Sequence, residues 1–374
     1  MYFRLKKIDK FSKARFGTII TSRGKINTPI FMPVGTYCTV KSLQKKNLYS
    51  DIDSNIILSN TYHIFLNPGI DVIKKSGGIH EFMGWNNLIL TDSGGYQLFS
   101  LKKILTINNN GVIFNSHVNG LRYVFTPENV ITIQRSLNSD IIMPLDECTP
   151  YPCNYEYTKN SVTRTHKWLK RSISHFNKTL SYKNYNKSLF PIVQGGTYIN
   201  LRKHSSEFVS NLNMDGNAIG GVCKPNTCLY EIVELVCGIL PVNKPRYLMG
   251  VGTPANILEC IALGVDMFDC VMPTRNARNG TLFTSNGIIN IKNKKWKTDN
   301  SFIDENINCN SSHYHTKSYL HHLFLSNEIL GLQIASLHNL SFYSWLIKSS
   351  RYHILRGNFL DWKNDILKLI MNKV

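Results

Sequence analysis

Disulfide frameworks and membrane spans are the first features that this sequence lacks. Its nine cysteines are scattered singly between Cys38 and Cys309, an odd number without the paired spacing of a disulfide framework. No apolar run is long enough to cross a bilayer, and the charged first seven residues contain no apolar segment like that of a secretory signal. These absences predict a cytoplasmic protein in a reducing compartment, with no membrane partner.

Internal repeats and low-complexity linkers are also absent, which predicts one main domain over residues 1–374. A hydrophobic fraction of 43% is enough for a full core and excludes a disordered chain. The length of 374 residues is typical of a (β/α)8 barrel with insertions.

Acidic residues are scarce relative to basic ones. Asp and Glu number 24 against 43 Lys and Arg, which gives a formal net charge of +19. This excess suits a polyanionic partner, because basic groups near phosphates release condensed counterions. The chain is also rich in Lys, Asn and Ile, as happens under AT-biased mutation, so charge alone does not identify the partner.

What the sequence does contain is a recurring unit, in which a short apolar run is followed by a helical stretch. Such short, continuous runs are typical of strands buried on both faces of a parallel sheet. The runs are residues 29–34, 55–58, 88–90, 140–145, 190–193, 217–219, 247–249 and 267–268. Eight strands alternating with helices predict an α/β fold, a (β/α)8 TIM barrel. An open doubly wound sheet is the alternative, since strand order is not written in the sequence.

Helix starts and a C-terminal appendix complete the predicted organisation. The pairs Thr126-Pro127 and Thr253-Pro254 each supply an N-cap and a first-turn proline. After the eighth run about a hundred residues remain, more than one closing helix requires. Residues 276–310 alternate apolar positions and predict a small β-rich appendix, followed by helices over residues 319–339 and 341–355.

Polar residues collect where the apolar runs end. In a barrel these positions meet at one mouth, the face at the carboxyl ends of the strands. They include Asn60, Asp92, Ser93, Asp146, Glu147, Gln194, Gly220, Gly221, Gly250 and Asp269. Two carboxylates at a sugar-binding mouth suit glycosyl transfer, in which one attacks the anomeric carbon and the other protonates the leaving group. Helix capping would explain any single aspartate equally well, but it explains the whole set poorly.

The remaining mouth residues suit a guanine-like base. Asp146 matches the N1–H and exocyclic amine of such a base, while Gln194 and the backbone N–H of Gly221 match its carbonyl oxygen. Tyr96 and Met249 are candidate stacking faces, although such residues pack in cores just as often.

Four motifs resemble those of bacterial tRNA-guanine transglycosylases, and the likeness extends over nearly the whole chain. The motifs are TDSGGYQ at 91–97, DECTPYP at 146–152, YLMGVG at 247–252 and DMFDCVMPTRNARNG at 266–280. The resemblance implies exchange of guanine at the wobble position of tRNAs with G-U-N anticodons (Asp, Asn, His, Tyr) for the queuosine precursor 7-aminomethyl-7-deazaguanine. It also implies a homodimer without an organic cofactor.

The resemblance further implies a role for each matching residue. Asp269 would be the nucleophile at C1′ of the ribose, giving a covalent enzyme–RNA intermediate, and Asp92 the general acid/base. The implied base pocket is Asp92, Ser93, Gly94, Gly95, Tyr96, Asp146, Gln194, Gly220, Gly221 and Met249. The implied RNA contacts are Gly250, Val251, Gly252, Thr253, Pro254, Ala255, Asn256, Thr274, Arg275, Asn276, Ala277 and Arg278.

The chain departs from this family's pattern at two places. The family's structural zinc is held by a C-x-C-x-x-C run and a downstream histidine, and residues 276–340 correspond to that zinc subdomain. The aligned positions here are Ile307, Cys309, Ser312 and His338, of which only Cys309 and His338 are zinc ligands by type. We therefore expect zinc to be weak or lost, unless His313 or His315 replaces a ligand. The second departure is residues 223–227, a shortened loop without the family's glutamate.

Two other functions are compatible with parts of this pattern. A non-catalytic tRNA-binding remnant or partner subunit fits the incomplete zinc ligands but has no use for a nucleophile. A barrel glycosidase acting on oligosaccharides fits two carboxylates but neither the basic charge nor the guanine-shaped pocket.

Overall fold

The computed structural model describes residues 1–100, 105–179, 186–222, 228–307 and 309–374. In chain order its strands are β1 Tyr2–Ile8, β2 Arg15–Thr21, β3 Gly24–Thr28, β4 Ile30–Met32, β5 Val34–Gly35, β6 Ile56–Ser59, β7 Leu88–Thr91, β8 Leu105–Asn108, β9 Gly111–Asn115, β10 Arg122–Phe125, β11 Ile141–Ile142, β12 Ser188–Leu189, β13 Ile192–Val193, β14 Asn217–Ile219, β15 Arg246–Leu248, β16 Met267–Asp269, β17 Thr281–Thr284 and β18 Gly287–Asn290. Its α-helices are α1 Lys45–Ser50, α2 Thr61–Leu66, α3 Ile70–Lys75, α4 Ile79–Met83, α5 Gly95–Ser100, α6 Pro127–Leu137, α7 Tyr155–Lys178, α8 Ile199–Ser210, α9 Leu229–Ile239, α10 Pro254–Ala262, α11 Met272–Arg278, α12 Asn310–Tyr314, α13 Lys317–Leu325, α14 Ile329–Arg356 and α15 Phe359–Ile370.

Two five-stranded sheets of parallel strands form the centre of the molecule. One has the order β12-β11-β7-β6-β5, and the other the order β13-β14-β15-β16-β4. The strands β4 and β5 belong to one continuous segment, and β12 and β13 belong to another. Strand neighbours therefore follow the chain from the first apolar run to the eighth, which then pairs with the first. The predicted α/β fold of parallel strands and helices is confirmed.

Alternate residues of these strands pack in two different apolar clusters. Ile56 and Leu58 of β6 belong to a cluster that also contains Met32, Leu90 and other residues of the central strands. Ile57, between them, belongs to the cluster shared with the helices. Because both faces of each strand are buried, the runs have no polar alternation, which is the physical reason for their continuous apolar character.

The predicted helix starts are present. The side chain of Thr126 accepts a hydrogen bond from the backbone N–H of Asn129 at the start of α6, and Thr253 accepts one from Asn256 at the start of α10. Each accepted bond satisfies one of the backbone donors that a helix leaves unpaired in its first turn.

The C-terminal part differs from its prediction in two respects. The β-hairpin β17–β18 is present, but residues 276–278 lie in α11, and a 3-10 helix, Lys294–Thr298, follows the hairpin. The predicted helix boundary near residue 340 is also wrong. The chain leaves the helical conformation at residues 326–328, between α13 and α14, and α14 then runs unbroken from Ile329 to Arg356. Asn339 is tolerated inside this helix because its side chain bonds to other segments instead of competing for the helix backbone.

Two antiparallel sheets were not predicted. The strands β1, β2 and β3 form one, and β8, β9 and β10 form the other. Strands β1 and β10, at the edges of these sheets, mix basic and apolar residues and have exposed positions, so no continuous apolar run marks them. No helix in the part of the chain that the structure describes is long and apolar enough to cross a membrane.

Candidate active site

Asp92 follows β7, and four donors surround its carboxylate. Oδ2 accepts from Asn60 Nδ2 at 2.5 Å and from Gln97 Nε2 at 2.8 Å. Oδ1 accepts from the backbone N–H groups of Thr61 at 2.9 Å and Gly94 at 3.2 Å. Burial raises the pKa of Asp92, while the hydrogen bonds from these donors oppose the rise. The group is therefore held in a fixed orientation, with a carboxyl that protonates more readily than an exposed aspartate.

Asp269 ends β16 and is held on one side only. Its Oδ1 accepts from the Tyr247 hydroxyl at 2.6 Å and from the backbone N–H of Gly250 at 2.8 Å. No donor among the described residues bonds to Oδ2. Burial raises the pKa of Asp269, the bonds from Tyr247 and Gly250 lower it, and the negative charge of Asp92 raises it again. One carboxylate oxygen is thus fixed and the other is available to a reacting atom.

Asp146 is the third carboxyl of this mouth. Its Oδ2 accepts from Gln194 Nε2 at 2.7 Å, and its Oδ1 lies 3.5 Å from the Ser93 hydroxyl. Burial raises the pKa of Asp146 to about 6, against the opposing bonds from Gln194 and Ser93, and the charge of Asp92 adds a smaller increase. Since Asp92 perturbs both other carboxyls, the three lie within electrostatic reach of one another.

Two glycines allow backbone to lie close to this pocket. Gly221 has a φ of +66°, and a Cβ on it would be 2.5 Å from Gln194 Oε1. A Cβ on Gly95 would be 3.0 Å from the backbone oxygen of Asp146. Any larger residue at these positions would displace the pocket's own polar groups, so glycine is required by close approach and, at 221, by backbone conformation.

Arg202 is a residue of this site that the sequence-based prediction missed. It lies on α8, is fully buried, and donates from Nη1 to the carbonyl oxygens of Gly220 at 2.7 Å and Val193 at 3.2 Å. It also donates from Nη2 to the oxygen of Gly221 at 3.0 Å and from Nε to that of Gly196 at 2.8 Å. One guanidinium thereby fixes the backbone of two strand-end segments, those that follow β13 and β14, because its planar group presents several donors at fixed angles.

The signal for Arg202 was present in the sequence. It occupies the buried face of α8 together with Ser205, Ser206 and Val209, at helical spacing. An arginine on such a face needs buried acceptors. Tyr247 had a comparable signal, since a tyrosine within a buried strand needs a partner for its hydroxyl.

The two candidate stacking residues lie in different environments. Tyr96, on α5, is 67% exposed. Met249 follows β15, is half-buried and packs against the inner apolar cluster. Tyr96 is therefore accessible to a ligand, whereas much of the Met249 side chain already has packing partners.

The implied RNA contacts divide into exposed and buried positions. Arg275 is exposed on α11, and Arg278 follows one turn later, half-buried. Thr253, Ala255, Asn256 and Asn276 are half-buried, and Gly250 is exposed. The buried members of the set are Val251, Gly252, Pro254, Thr274 and Ala277. These buried residues expose little surface to a ligand.

The four positions aligned with zinc ligands do not fit a zinc ion. Ile307 carries no donor atom. His338 uses both ring nitrogens in hydrogen bonds, Nδ1 with the Ser312 hydroxyl at 2.7 Å and Nε2 with the carbonyl oxygen of Phe283 at 2.8 Å. Within the described ranges, no group of three or more His, Cys, Asp or Glu residues is placed to hold a metal. The second departure, at residues 223–227, lies outside the described residues.

The chain is similar to known proteins over nearly its whole length. The family model described as queuine tRNA-ribosyltransferase matches residues 9–371. A queuine tRNA-ribosyltransferase of Thermoanaerobacter sp. (strain X514) is 47% identical over 98% of this chain and 96% of its own length. Those of Aquifex aeolicus (strain VF5) and Natranaerobius thermophilus are each 45% identical, over 100% and 99% of both chains respectively. The chain belongs to the queuine tRNA-ribosyltransferase family.

Proposed function

We propose that this enzyme exchanges guanine at the wobble position of tRNAs with G-U-N anticodons (Asp, Asn, His, Tyr) for 7-aminomethyl-7-deazaguanine. The observation that carries the proposal is the unequal environment of two neighbouring carboxyls. Asp269 has one oxygen fixed by Tyr247 and Gly250 and the other without a bonded donor among the described residues, whereas Asp92 has donors on both oxygens. A nucleophile needs an accessible oxygen, and an acid/base group needs a defined orientation and a raised pKa.

The reaction then takes two displacements at one carbon. Asp269 Oδ2 attacks C1′ of the ribose, and the C1′–N9 bond to guanine breaks. Guanine leaves with that electron pair and takes a proton from Asp92, whose raised pKa favours the acid form. The incoming base gives its N9 proton to Asp92, attacks C1′ and displaces Asp269, which restores both carboxyls and retains the configuration.

The base pocket follows from the hydrogen-bonding groups around Asp146. Its ionised carboxylate accepts from N1–H and the exocyclic amine of guanine. Gln194 already donates to Asp146 from Nε2, and its amide lies next to the glycine segment at 220–221. The N–H of Gly221, whose carbonyl is held by Arg202, is the donor we assign to the guanine oxygen.

The tRNA contacts that we propose depend on α11. Arg275 is exposed, and the Nη1 of Arg278 is buried without a hydrogen-bond partner among the described residues. Burial and the neighbouring Arg275 lower the pKa of Arg278. Two cations one turn apart, one with an unused donor, suit phosphates on either side of an extruded nucleotide.

The larger architecture is part of the same proposal. The two sheets, which share the segments of residues 30–35 and 188–193, are those of one closed (β/α)8 barrel spanning a single domain over residues 1–374. Residues 276–340 are the appendix of this domain. We retain the homodimer and the cytoplasmic location as sequence-based predictions, and sedimentation of the purified chain measures the first of them.

The exchange of labelled guanine tests the proposed function. An unmodified tRNA with a G-U-N anticodon should take up label, and the same tRNA with adenine at the wobble position should not. Label in neither, with tRNA binding intact, would favour the non-catalytic remnant. Label in both would show that the enzyme does not select the wobble guanine. Competition by 7-aminomethyl-7-deazaguanine then tests the identity of the incoming base.

A further inference from the structure

The junction between α14 and the hairpin β17–β18 contains the positions that align with the zinc ligands. We propose that this chain folds without zinc, with a hydrogen bond from Ser312 to His338 and the packed side chain of Ile307 in place of metal ligands. The proposal concerns metal content and stability, and it does not depend on the proposed reaction.

The hydrogen bonds of His338 leave its ring no lone pair for a metal. The carbonyl oxygen of Phe283 only accepts, so Nε2, 2.8 Å away, carries the hydrogen. In the neutral ring Nδ1 is then an acceptor, and the Ser312 hydroxyl donates to it at 2.7 Å. His338 is fully buried, and both of its nitrogens are satisfied by protein groups. A zinc ion would have to displace one of these bonds.

Asn339, next to His338, adds hydrogen bonds to the junction between α14 and the hairpin β17–β18. Asn339 Oδ1 accepts from the backbone N–H of Phe283 at 3.0 Å, and its Nδ2 donates to the oxygens of Thr281 and Pro273, each at 3.0 Å. His338 and Asn339 together satisfy the edge of β17 that does not pair with β18. Since Pro273 lies in α11, the Asn339 side chain links α14 both to the hairpin and to the helix that carries Arg275 and Arg278.

Ile307 and Cys309 supply packing at the two other aligned positions. Ile307 is 1% exposed and Cys309 2%, and both belong to the main apolar cluster together with Phe283 and Leu337. A branched hydrocarbon at 307 gains burial free energy where a thiolate would need a metal to offset its charge. The local turn has its own polar support, because Asp304 accepts from both the backbone N–H and the hydroxyl of Ser285, at 2.6 and 2.9 Å.

His313 is the residue nearest in sequence that could oppose this inference. Its Nε2 is buried and has no hydrogen-bond partner in the structure as described. A structural zinc site normally uses four side chains, and even with Cys309 this histidine makes only two. No third His, Cys, Asp or Glu is placed to join them among the described residues, and residues 308, 310 and 311 are asparagine and serine.

The purified full-length protein tests the proposal directly. Elemental analysis should find far less than one zinc per chain after expression in zinc-supplemented medium. The melting temperature should be the same with and without excess 1,10-phenanthroline, and added zinc should not raise it. A stoichiometric zinc, or a fall in melting temperature on chelation, would overturn the proposal. His313→Asn would then show whether that histidine is a ligand.

Rebuilding the ligand set gives the positive control. The double variant Ile307→Cys/Ser312→Cys has three cysteines and His338 at the family's spacing, so it should bind about one zinc per chain. Its cobalt form should show thiolate charge-transfer bands, and chelation should lower its melting temperature. A folded double variant that takes up no metal would show that these positions do not converge on His338, which would overturn the assigned replacement.

Ser312→Ala removes the hydroxyl that donates to His338 and so tests this hydrogen bond by itself. It leaves a buried imidazole nitrogen without a donor, and we expect the melting temperature to fall by about 2–4 °C with metal content unchanged. An unchanged melting temperature would show that the Ser312–His338 bond does not support the junction. Because the metal content of the unmodified chain is measured separately, misfolding of any variant leaves the main test intact.

Discussion

Polar groups are used in opposite ways at the mouth and in the appendix. Around Asp92, Asp146 and Asp269, buried donors orient carboxyls whose pKa values burial raises, so the arrangement depends on each group. Around His338, one hydroxyl–imidazole bond and apolar packing occupy positions where the family pattern has metal ligands. Carboxyl chemistry needs particular atoms in particular places, so the three carboxyls cannot be replaced by other groups. A structural junction needs only enough favourable contacts, so metal ligands can be replaced there by hydrogen bonds and apolar packing.

The largest expected effect is at the nucleophile. Asp269→Asn removes the negative oxygen that attacks C1′ while keeping the acceptor for Tyr247 and Gly250. Guanine exchange should fall by roughly ten-thousand-fold, and the denaturation-resistant protein–tRNA adduct should disappear, with tRNA affinity nearly unchanged. Asp365→Asn, on the exposed face of α15, is the control. Persistence of the adduct would show that another residue is the nucleophile.

Arg202→Gln tests whether a buried cation organises the base pocket. It removes donors to the carbonyls of Gly220 and Gly221, so we expect the KM for guanine to rise about 10- to 100-fold, with a much smaller change in the KM for tRNA. Lys203→Gln, exposed on the same helix, should change neither. Equal loss of affinity for both substrates would mean that Arg202 supports the fold in general and not the pocket.

The pH dependence of base binding depends on Asp146. Its carboxylate accepts from guanine only when ionised, and its pKa is raised to about 6, so affinity for guanine should fall about tenfold per pH unit below 6 and be constant above 7. A guanine KM that stays flat between pH 5 and 7 would contradict this assignment. The KM for tRNA, measured in the same series, separates this effect from loss of tRNA binding.

The same shift has a consequence for stability. The pKa of Asp146 is higher in the folded state than in the unfolded state, so the native state binds this proton more tightly. The free energy of unfolding therefore falls as pH rises from about 4 to 6 and then levels off. Asp146→Asn removes this penalty, at most about 3 kcal/mol. It should therefore raise the melting temperature at neutral pH while abolishing guanine binding. A lower melting temperature at that pH would contradict the prediction.

The smallest effect is expected in the appendix. Ile307→Val keeps a branched hydrocarbon and loses one methylene, so unfolding free energy should fall by about 0.5–1.5 kcal/mol. Guanine exchange at 25 °C should be unchanged. A loss of guanine exchange as large as that of Asp269→Asn would show that the appendix and the active site do not differ in their tolerance of substitution.

The fold was predictable where both faces of an element are buried. The eight apolar runs coincide with the parallel strands, and Thr126 and Thr253 begin helices as expected. The antiparallel sheets β1–β3 and β8–β10 were missed, because exposed positions in edge strands such as β1 and β10 break the apolar pattern. The helix boundary expected near residue 340 was also wrong, because the break falls at residues 326–328 and Asn339 lies inside α14 with partners in β17 and α11.

The family and the enzyme class predicted from the motifs are confirmed by the family match and the relatives. The roles of Asp92 and Asp269 stay predictions, and the structure adds which donors hold each carboxyl. Tyr247, Gln97 and Arg202 were not assigned as site residues from the sequence. Their contributions depend on contacts between segments far apart in the chain.

The sequence by itself determined which residue types stand at the strand ends and which metal ligands are missing, because both follow from identity and spacing along the chain. Only the tertiary structure decided that Tyr247 and Gly250 fix one oxygen of Asp269, that Arg202 holds the glycine backbone, and that Ser312 reaches His338. The physical reason is that hydrogen bonds and burial depend on three-dimensional distance. Residues 312 and 338, or 202 and 220, become neighbours only when the strands and helices pack.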